Sequence, residues 1–372
     1  MKLLPHRPRV LALGEPTHHE EVLLELRNDL FAHAGYRTLA VESDCLMGLV
    51  VDDYVTTGEG ELDDVVARGF SHGLNDLPSS RELVRWMREY NTGRPAAEQV
   101  RFAGFDGPLE MTHAASPRAA LLGLHAYLAA LVAPGLLPCS AETLDDLLGA
   151  DERWEDQAAI MDPSRSVGQT PEATRLRLLA ADLVALLEAE TPGLIAASSL
   201  SAFERAGLYG RTATGLLTYH HWLAEPAPLR ATRLMGQRDS MMAANLLALA
   251  RRGPVMAYAH NSHLQRDKSF LLLGDLPLEW WSAGSIVGAR LGADYAFVAT
   301  GVGTIRRHGV GTPPPGTLEG LLYERPEDVQ VVDVRTLDTA GLEARVSPWF
   351  GYIPLDPAQV GGADGLVFVR DL

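Results

Sequence analysis

The sequence contains very little cysteine, with Cys45 and Cys139 as its only two. Two cysteines so far apart do not form the framework of a small disulfide-stapled protein. The chain also lacks any apolar run of about 18 or more residues, the length that a membrane-spanning helix needs. Its start, MKLLPHRPRV, lacks the apolar core of a signal peptide. We therefore expect a cytoplasmic protein with no membrane partner.

Positive charge is scarce as well. The 372 residues include 48 acidic and 32 basic ones, which gives a formal net charge of −16 at pH 7. No basic tract stands out, so this balance argues against nucleic acid or an anionic membrane as a partner. Hydrophobic residues make up 47% of the chain, as in an ordinary globular protein that buries a large core.

What the chain does contain is a series of continuous apolar runs, typical of strands buried on both faces. These runs alternate with helical patterns, which favours an α/β fold with a mainly parallel sheet flanked by helices. The predicted strands are Val10–Leu13, Thr38–Glu42, Val100–Gly104, Val255–Ala259, Tyr295–Thr300, Val329–Asp333 and Gly365–Val369. The predicted helices are Glu20–Ala34, Ser79–Tyr90, Ser116–Leu131 and Arg230–Arg252.

One stretch breaks the alternation. Residues 140–228 are rich in Ala, Leu and Glu and contain no convincing strand. We interpret them as a helical insertion between core segments 1–139 and 229–372. This insertion is expected to cap the carboxyl edge of the sheet.

Polar side chains follow the first two apolar runs at the points where they end. Glu15 and His18 come after the first run, and Glu42 and Asp44 close the second. Because the carboxyl ends of parallel strands share one edge of a sheet, these side chains should converge. Carboxylates beside a histidine are suited to proton transfer or to metal binding.

Other elements add to this group. His260, Asn261 and His263 follow the run Val255–Ala259, Asp106 closes the run that begins at Val100, and Arg238 lies in the helical pattern after the insertion. Polar groups that close several separate strands are hard to explain as surface decoration. We predict one site at the carboxyl edge.

These motifs resemble those of the erythromycin esterase family. The chain matches its GE-x-[TS]-H segment at residues 14–18, its GFD segment at 104–106, its QRD-x-x-M-A-x-N helix at 237–245 and its A-H-N-x-H segment at 259–263. The resemblance implies an α/β core with a helical insertion. It also implies a histidine general base that activates water on an ester or lactone.

Carried over by motif position, the base is His18, and its companions are Glu15, Glu42, His260 and His263. Arg27 matches an arginine in the family's first helix. We expect Arg27, His260 or His263 to stabilise the oxyanion. The residues expected to contact substrate are His19, Asp44, Asp106, Arg238 and Asn261.

The core motif departs from the family pattern GEA-[TS]-HG at two positions. Pro16 replaces alanine, and His19 replaces glycine. Proline fixes φ and removes a donor, whereas histidine in place of glycine should remove access to positive φ and fill space. The second half of the motif is expected to begin the next helix. Thr17 should be its N-cap, and Glu20 should complete a capping box and face solvent.

Three functions stay open at this point. The first is hydrolysis of an ester or lactone in a hydrophobic small molecule, without a cofactor; a divalent metal is disfavoured because no H-E-x-x-H motif is present. The second is a retuned enzyme that promotes cyclisation, elimination or intramolecular displacement in natural-product biosynthesis, with or without a partner subunit. The third is an inactive protein that binds a ligand or partner chain. Homo- and hetero-oligomers are both compatible with the sequence.

Four further residues have predicted positions. Asp44 either caps a helix at Leu46 or lines the site. His72 is better read as an exposed loop histidine than as a site residue. Trp280 and Trp281 are expected to pack a helix against the sheet.

Overall fold

The computed structural model describes residues 4–110, 113–274 and 276–372. Within them the strands are β1 Val10–Glu15, β2 Thr38–Asp44, β3 Arg101–Asp106, β4 Val255–His260, β5 Lys268–Leu273, β6 Leu276–Trp281, β7 Tyr295–Thr304, β8 Val329–Val332 and β9 Gly365–Asp371. Seven of them form one sheet in the order β3-β2-β4-β1-β7-β9-β8, and β5 and β6 form a separate pair.

The helices of the described residues are α1 Glu21–Ala34, α2 Gly48–Thr57, α3 Leu62–Gly69, α4 Pro78–Asn91, α5 Arg118–Leu131, α6 Ala141–Leu148, α7 Pro171–Ala189, α8 Thr191–Ala197, α9 Leu200–Leu223, α10 Arg230–Arg252, α11 Asn261–Leu264, α12 Ala283–Leu291 and α13 Leu318–Tyr323. None of them combines the length and the apolar character that crossing a bilayer requires.

The predicted α/β fold with a mainly parallel sheet is confirmed. Strand β1 pairs in parallel with β4 and β7, β4 pairs in parallel with β2, and β7 with β9; the β8–β9 pair is antiparallel. Every residue of β1, β4 and β7 is buried. Burial on both faces is the reason why these strands appear in the sequence as unbroken apolar runs.

Each of the seven predicted apolar runs is a strand, but several extend further than predicted. Strands β1, β2, β3 and β4 continue into the polar residues Glu15, Asp44, Asp106 and His260. The apolar pattern ends before the ladder does, because backbone pairing continues past the last side chain that packs in the core.

The β5–β6 pair was not predicted. In this antiparallel hairpin, residues of β6 alternate between buried and exposed, so that Trp280 is buried and Trp281 is exposed. The prediction that both tryptophans pack a helix against the sheet is therefore wrong. Adjacent residues in a strand point to opposite faces, so the two indoles cannot share one packing surface.

The start of α1 also differs from the prediction. The helix begins at Glu21, so Glu20 rather than Thr17 is at the N-cap position, and it makes no side-chain cap hydrogen bond. Thr17 is fully buried, and its hydroxyl has no partner within the described residues. Glu20 is only 2% exposed instead of facing solvent. Strand β1 continues to Glu15, and the helix starts only at Glu21.

The chain divides into two compact units. The first comprises the segments up to Ser43, Met47–Phe105 and Leu246–Leu372, and it contains the sheet and an apolar core around Leu13, Val41 and Tyr258. The second comprises Asp44–Leu46 and Asp106–Asn245, and its helices enclose a leucine-rich core of their own. This second unit begins earlier and ends later than the predicted insertion 140–228, whose capping role stays a prediction.

Candidate active site

Three neighbouring parallel strands of the first unit end in polar residues at one edge. Strand β4 lies between β2 and β1, and its last residue, His260, is in register with Glu15 of β1. Glu42 lies near the end of β2. The carboxyl edge thus carries two carboxylates and a histidine on adjacent strands, which is where open α/β sheets bind ligands.

Glu15 holds His18 in one orientation. The carboxylate is 3% exposed, and its Oε1 lies 2.7 Å from His18 Nδ1. Its other oxygen, Oε2, accepts a hydrogen bond from the hydroxyl of Tyr258. With Nδ1–H donated to the carboxylate, the lone pair of the imidazole is on Nε2. Glu15 and His18, which the sequence predicts to converge, are thus in hydrogen-bond contact.

His18 remains accessible despite these contacts. Its side chain is 43% exposed, and within the described residues its Nε2 makes no hydrogen bond to protein. A neutral imidazole whose Nδ1 is fixed by a carboxylate, on a side chain that solvent can reach, can accept a proton from water at Nε2.

Opposing effects set the pKa of His18. Burial by neighbouring atoms lowers it, whereas the charge of Glu42 and the hydrogen bond and charge of Glu15 raise it. The carboxylates outweigh burial, so the pKa of His18 is raised from 6.5. The two carboxylates therefore make this imidazole a stronger base than an ordinary histidine.

Glu42 of β2 contacts both His260 of β4 and His263 of α11. It is 6% exposed; its Oε2 accepts a hydrogen bond of 2.8 Å from the backbone N–H of His260, and its Oε1 lies 3.4 Å from His263 Nε2. A buried carboxylate needs such partners. Glu42 thus joins the end of β2 to the start of α11 while placing negative charge near His18.

His260 is a different kind of histidine. Its ring centroid is 5.3 Å from that of His18, but burial, followed by the charge of His18, lowers its pKa to about 3. Its Nδ1 accepts a hydrogen bond of 3.2 Å from the backbone N–H of Ser262 and lies 2.7 Å from the Ser262 hydroxyl. His260 therefore stays neutral at physiological pH and supports the site.

Arg27 lies behind the site. It is fully buried, and its guanidinium is 5.1 Å from the centroid of the Tyr258 ring. Burial lowers its pKa, while Tyr258 and Glu15 raise it. Its Nε and Nη2 donate to Asn28, and its Nη1 has no partner in the described part of the chain. A fully buried cation at this position balances the charge of Glu15.

His19 and His72 have the left-handed backbone conformation, with φ of 65° and 56°. The expectation that histidine in place of glycine removes access to positive φ is wrong at position 19. Such a conformation costs a non-glycine residue about 1–3 kcal/mol. Hydrogen bonds oppose this cost: His19 Nε2 lies 2.6 Å from the carbonyl oxygen of His72, and Arg307 donates to the His19 carbonyl at 3.4 Å.

A small cavity lies among these side chains. About 10 Å³ of it is open to the centre of a water molecule, which is close to the room that one water needs. It is lined by Glu15, His18, His19, Val41, Glu42, His72, Leu74 and Tyr258.

The remaining predicted contact residues have other partners. Asn261, in the first unit, donates to the carbonyl of Thr300 at 2.7 Å and accepts from its N–H at 3.1 Å, so its amide fastens α11 to β7. In the second unit, Asp106 is fully buried and receives Arg238 Nη2 at 2.6 Å. Asp44 accepts from the N–H of Leu46 at 2.6 Å in the turn before α2, which begins at Gly48 and not at Leu46; its lining the site stays a prediction.

Tyr258 is not identified from the sequence, and His72 is predicted there to be an exposed loop histidine, although both residues line the cavity. A tyrosine in an otherwise aliphatic buried strand was the available signal, because a buried phenol usually needs a polar partner.

The segment Gly69–Gly73 has Gly-x-Ser-x-Gly spacing, but it follows helix α3 instead of a strand. The Ser71 hydroxyl lies 3.3 Å from that of Ser43. A nucleophile elbow requires a strand-turn-helix context, which this segment does not have.

Among the residues that the structure describes, no group of three or more His, Cys, Asp or Glu side chains is arranged to hold a metal ion. The pairs Glu15–His18 and Glu42–His263 are instead arranged as acid–base partners. Proton transfer is thus the chemistry that this geometry supports directly.

Comparisons with known proteins agree with this architecture. The profile of the erythromycin esterase family matches residues 31–362, a range that begins after the turn carrying His18. No curated protein matches the chain by sequence.

Three solved structures share the fold. A protein from Bacillus cereus has a TM-score of 0.74 at 18% identity, covering 100% of this chain and 90% of its own. A succinoglycan biosynthesis protein has a TM-score of 0.70 at 16% identity, with 100% and 89% covered. A mutant of the erythromycin esterase EreC in its open conformation has a TM-score of 0.66 at 16% identity, with 97% and 90% covered.

Proposed function

Because the chain belongs to the erythromycin esterase family, we propose that it hydrolyses an ester or lactone of a hydrophobic small molecule, with His18 as the general base. One observation carries the proposal: Glu15 binds His18 Nδ1 at 2.7 Å while the side chain stays 43% exposed. This arrangement leaves Nε2 as the basic nitrogen, which can take a proton from water.

The proposed reaction begins with a water molecule beside His18 Nε2. The imidazole takes a proton as the water oxygen attacks the carbonyl carbon, and the resulting imidazolium is stabilised by Glu15. When the tetrahedral intermediate collapses, the C–O bond to the leaving group breaks. The imidazolium then returns its proton to the leaving alkoxide, so His18 is regenerated as carboxylic acid and alcohol form.

Other residues of the site support this base. Tyr258 fixes the second oxygen of Glu15, and Arg27 offsets the negative charge of that carboxylate. Because Arg27 is fully buried, we assign it this charge-balancing role in place of contact with the oxyanion. Of the two histidines proposed as oxyanion donors, His260 already contacts Ser262 through Nδ1, which leaves His263 as the proposed donor.

The test uses three variants and two substrates. His18→Gln should lower kcat/KM for a 4-nitrophenyl ester and for a macrolide lactone by about 10²–10⁴-fold, the usual contribution of a general base. His33→Gln changes an exposed histidine of α1 and serves as the matched control. Ser71→Ala examines the Gly-x-Ser-x-Gly segment. His33→Gln and Ser71→Ala should both keep wild-type activity.

The outcomes separate the mechanisms. Activity that survives His18→Gln removes His18 from the role of base, and loss of activity in Ser71→Ala alone indicates a serine nucleophile. A product that has not gained the mass of one water would favour the alternative in which the same base promotes cyclisation or elimination. Binding without any product would favour the inactive ligand-binding alternative.

Metal dependence is tested separately. We propose that hydrolysis requires no cofactor, so dialysis against a chelator should leave kcat/KM unchanged. A loss that is restored by one divalent cation would contradict this part of the proposal.

A further inference from the structure

The His19 side chain stands beside the proposed base on a backbone that strongly favours glycine. Its φ is 65°, and its ring centroid is 6.1 Å from that of His18. Strained residues persist where the surrounding contacts hold them, and they concentrate at functional sites. The position of this ring therefore calls for a functional explanation.

The ring forms a bridge to a second left-handed segment. His19 Nε2 lies 2.6 Å from the carbonyl oxygen of His72, and it would lie 3.3 Å from a Cβ at Gly73. His72 and Gly73 have φ of 56° and 69°. The loop thus turns its backbone, without a bulky side chain at position 73, toward the His19 imidazole.

This bridge forms one wall of the cavity at His18. Both His19 and His72 line that cavity, which has room for about one water. Because His19 is itself exposed, we expect removal of its imidazole to widen the cavity on this side. A reacting carbonyl that reaches His18 must fit beside the wall, and the size of the group attached to it is then limited on that side.

We infer that His19 determines specificity by restricting the size of the acyl group that can approach His18. This inference rests on the proposed hydrolytic function and goes beyond it, since it names the residue by which the site selects among esters that differ in the size of the acyl group. His19 is a size-restricting residue in this account and takes no part in proton transfer.

The experiment compares kcat/KM for 4-nitrophenyl acetate, butyrate and octanoate, which share one leaving group. The variants are His19→Gly, which removes both the ring and the strain, and His19→Asn, which removes the ring but keeps a side chain that tolerates positive φ. In both variants we expect the ratio of kcat/KM for the octanoate to kcat/KM for the acetate to rise about tenfold or more over wild type. A change of this size is within the range of pocket-size effects.

A second measurement does not depend on turnover. Diethyl pyrocarbonate modifies accessible imidazoles, and peptide mass spectrometry locates the modified histidine. His18 should be modified several-fold faster in both variants than in wild type, while His33, an exposed histidine of α1, should react at an unchanged rate. Thermal melts check that each variant is folded.

The outcomes are decisive in each case. The inference is overturned if the size ratio stays at the wild-type value, or if only His19→Gly raises it, because backbone freedom would then be the cause. If no form of the protein hydrolyses any ester, the proposed function fails, and the inference that the His19 ring restricts access to His18 is judged by the modification rates alone. Unchanged rates overturn it.

Discussion

At the scale of single residues, His18 is the group whose charge governs the proposed reaction. Burial lowers its pKa, but Glu42 and Glu15 raise it more, so the pKa lies above 6.5. Because the base must be neutral, kcat/KM should rise with pH through a midpoint above 6.5 and fall as pH drops below that midpoint. Glu42→Gln removes the largest raising effect and should shift the midpoint to lower pH.

The measurement is a pH profile of kcat/KM together with an NMR titration of the His18 Cε1–H signal. Glu25→Gln, an exposed carboxylate of α1, is the matched control and should leave both midpoints in place. Protonated His18 stabilises the fold at pH below 6.5, and this contribution is lost as pH rises through the raised pKa. A midpoint that Glu42→Gln leaves unmoved would contradict the assignment of Glu42.

Tyr258 provides a second prediction at this scale. Tyr258→Phe removes the donor to Glu15 Oε2 and leaves a buried acceptor without its partner, which should cost about 1–3 kcal/mol of stability. Activity should also fall, because Glu15 no longer holds His18 in place. The readouts are urea denaturation and kcat.

Tyr36→Phe is the matched control for Tyr258→Phe. The Tyr36 hydroxyl is also buried and donates to the carbonyl of Pro8 at 3.0 Å, but it is not among the residues lining the cavity. The Tyr36→Phe variant should therefore be less stable than wild type while keeping its activity. Equal effects of the two variants on kcat would mean that the tyrosine at β4 has only a structural role.

At the scale of elements, the turn between β1 and α1 is held by the short 3₁₀ helix Arg306–His308. Arg307 Nη2 lies 2.7 Å from Glu20 Oε2; the Glu20 side chain is 3% exposed, and that of Arg307 is 56% exposed. Burial raises the pKa of Glu20, and Arg307 opposes this effect. The pair thus fixes the turn that carries His18 and His19.

Arg307→Gln should therefore destabilise the protein by about 1–3 kcal/mol at pH 7, between the values for surface and buried ion pairs. Without Arg307, the pKa of Glu20 rises further. The loss of stability should shrink as pH falls and Glu20 becomes protonated, because the neutral carboxyl no longer needs a cation. Thermal melts across pH measure both effects.

Two further variants control this prediction. Arg306→Gln changes an arginine whose side chain is 75% exposed and should have little effect. Adding Glu20→Gln to Arg307→Gln should restore much of the lost stability at pH 7. If the double variant is no more stable than Arg307→Gln alone, the buried carboxylate is not the cause.

At the scale of the whole molecule, net charge is the dominant property. A formal charge of −16 implies repulsion between acidic groups across the folded chain. Raising monovalent salt from about 0.01 to about 0.15 M shortens the Debye length to about 8 Å and should raise the melting temperature. Sodium and potassium chloride should act equally. A rise seen with one cation only would indicate specific binding in place of screening.

The sequence allowed much of this protein to be predicted, and particular residues show why. The buried runs at β1 and β4 are short-range patterns with polar residues directly after them, so both the strands and the group Glu15, His18 and His260 could be read from the chain. Family membership is shown by the match over residues 31–362, and short motifs of the same local kind indicate it in the sequence.

Other features could not be read because they depend on partners distant in the chain. Tyr258 has its role only because β4 lies beside β1, which places it next to Glu15, 243 residues away in sequence. Glu20 and Thr17 are buried by the packing of the turn, although their residue types favour a solvent-exposed helix start. The β5–β6 hairpin alternates over too few residues to be distinguished from the surrounding loops.

The sequence by itself determined the class of fold, the family and that Glu15, Glu42 and His260 come at the ends of neighbouring strands, because strand periodicity and parallel connections place residues by their position along the chain. Only the tertiary structure decided how those residues differ from one another. His18 is exposed with its pKa raised, and His260 is buried with its pKa lowered to about 3. The physical reason is that protonation depends on the solvent and charges around a group, and folding alone brings Glu42 near the first ring and encloses the second.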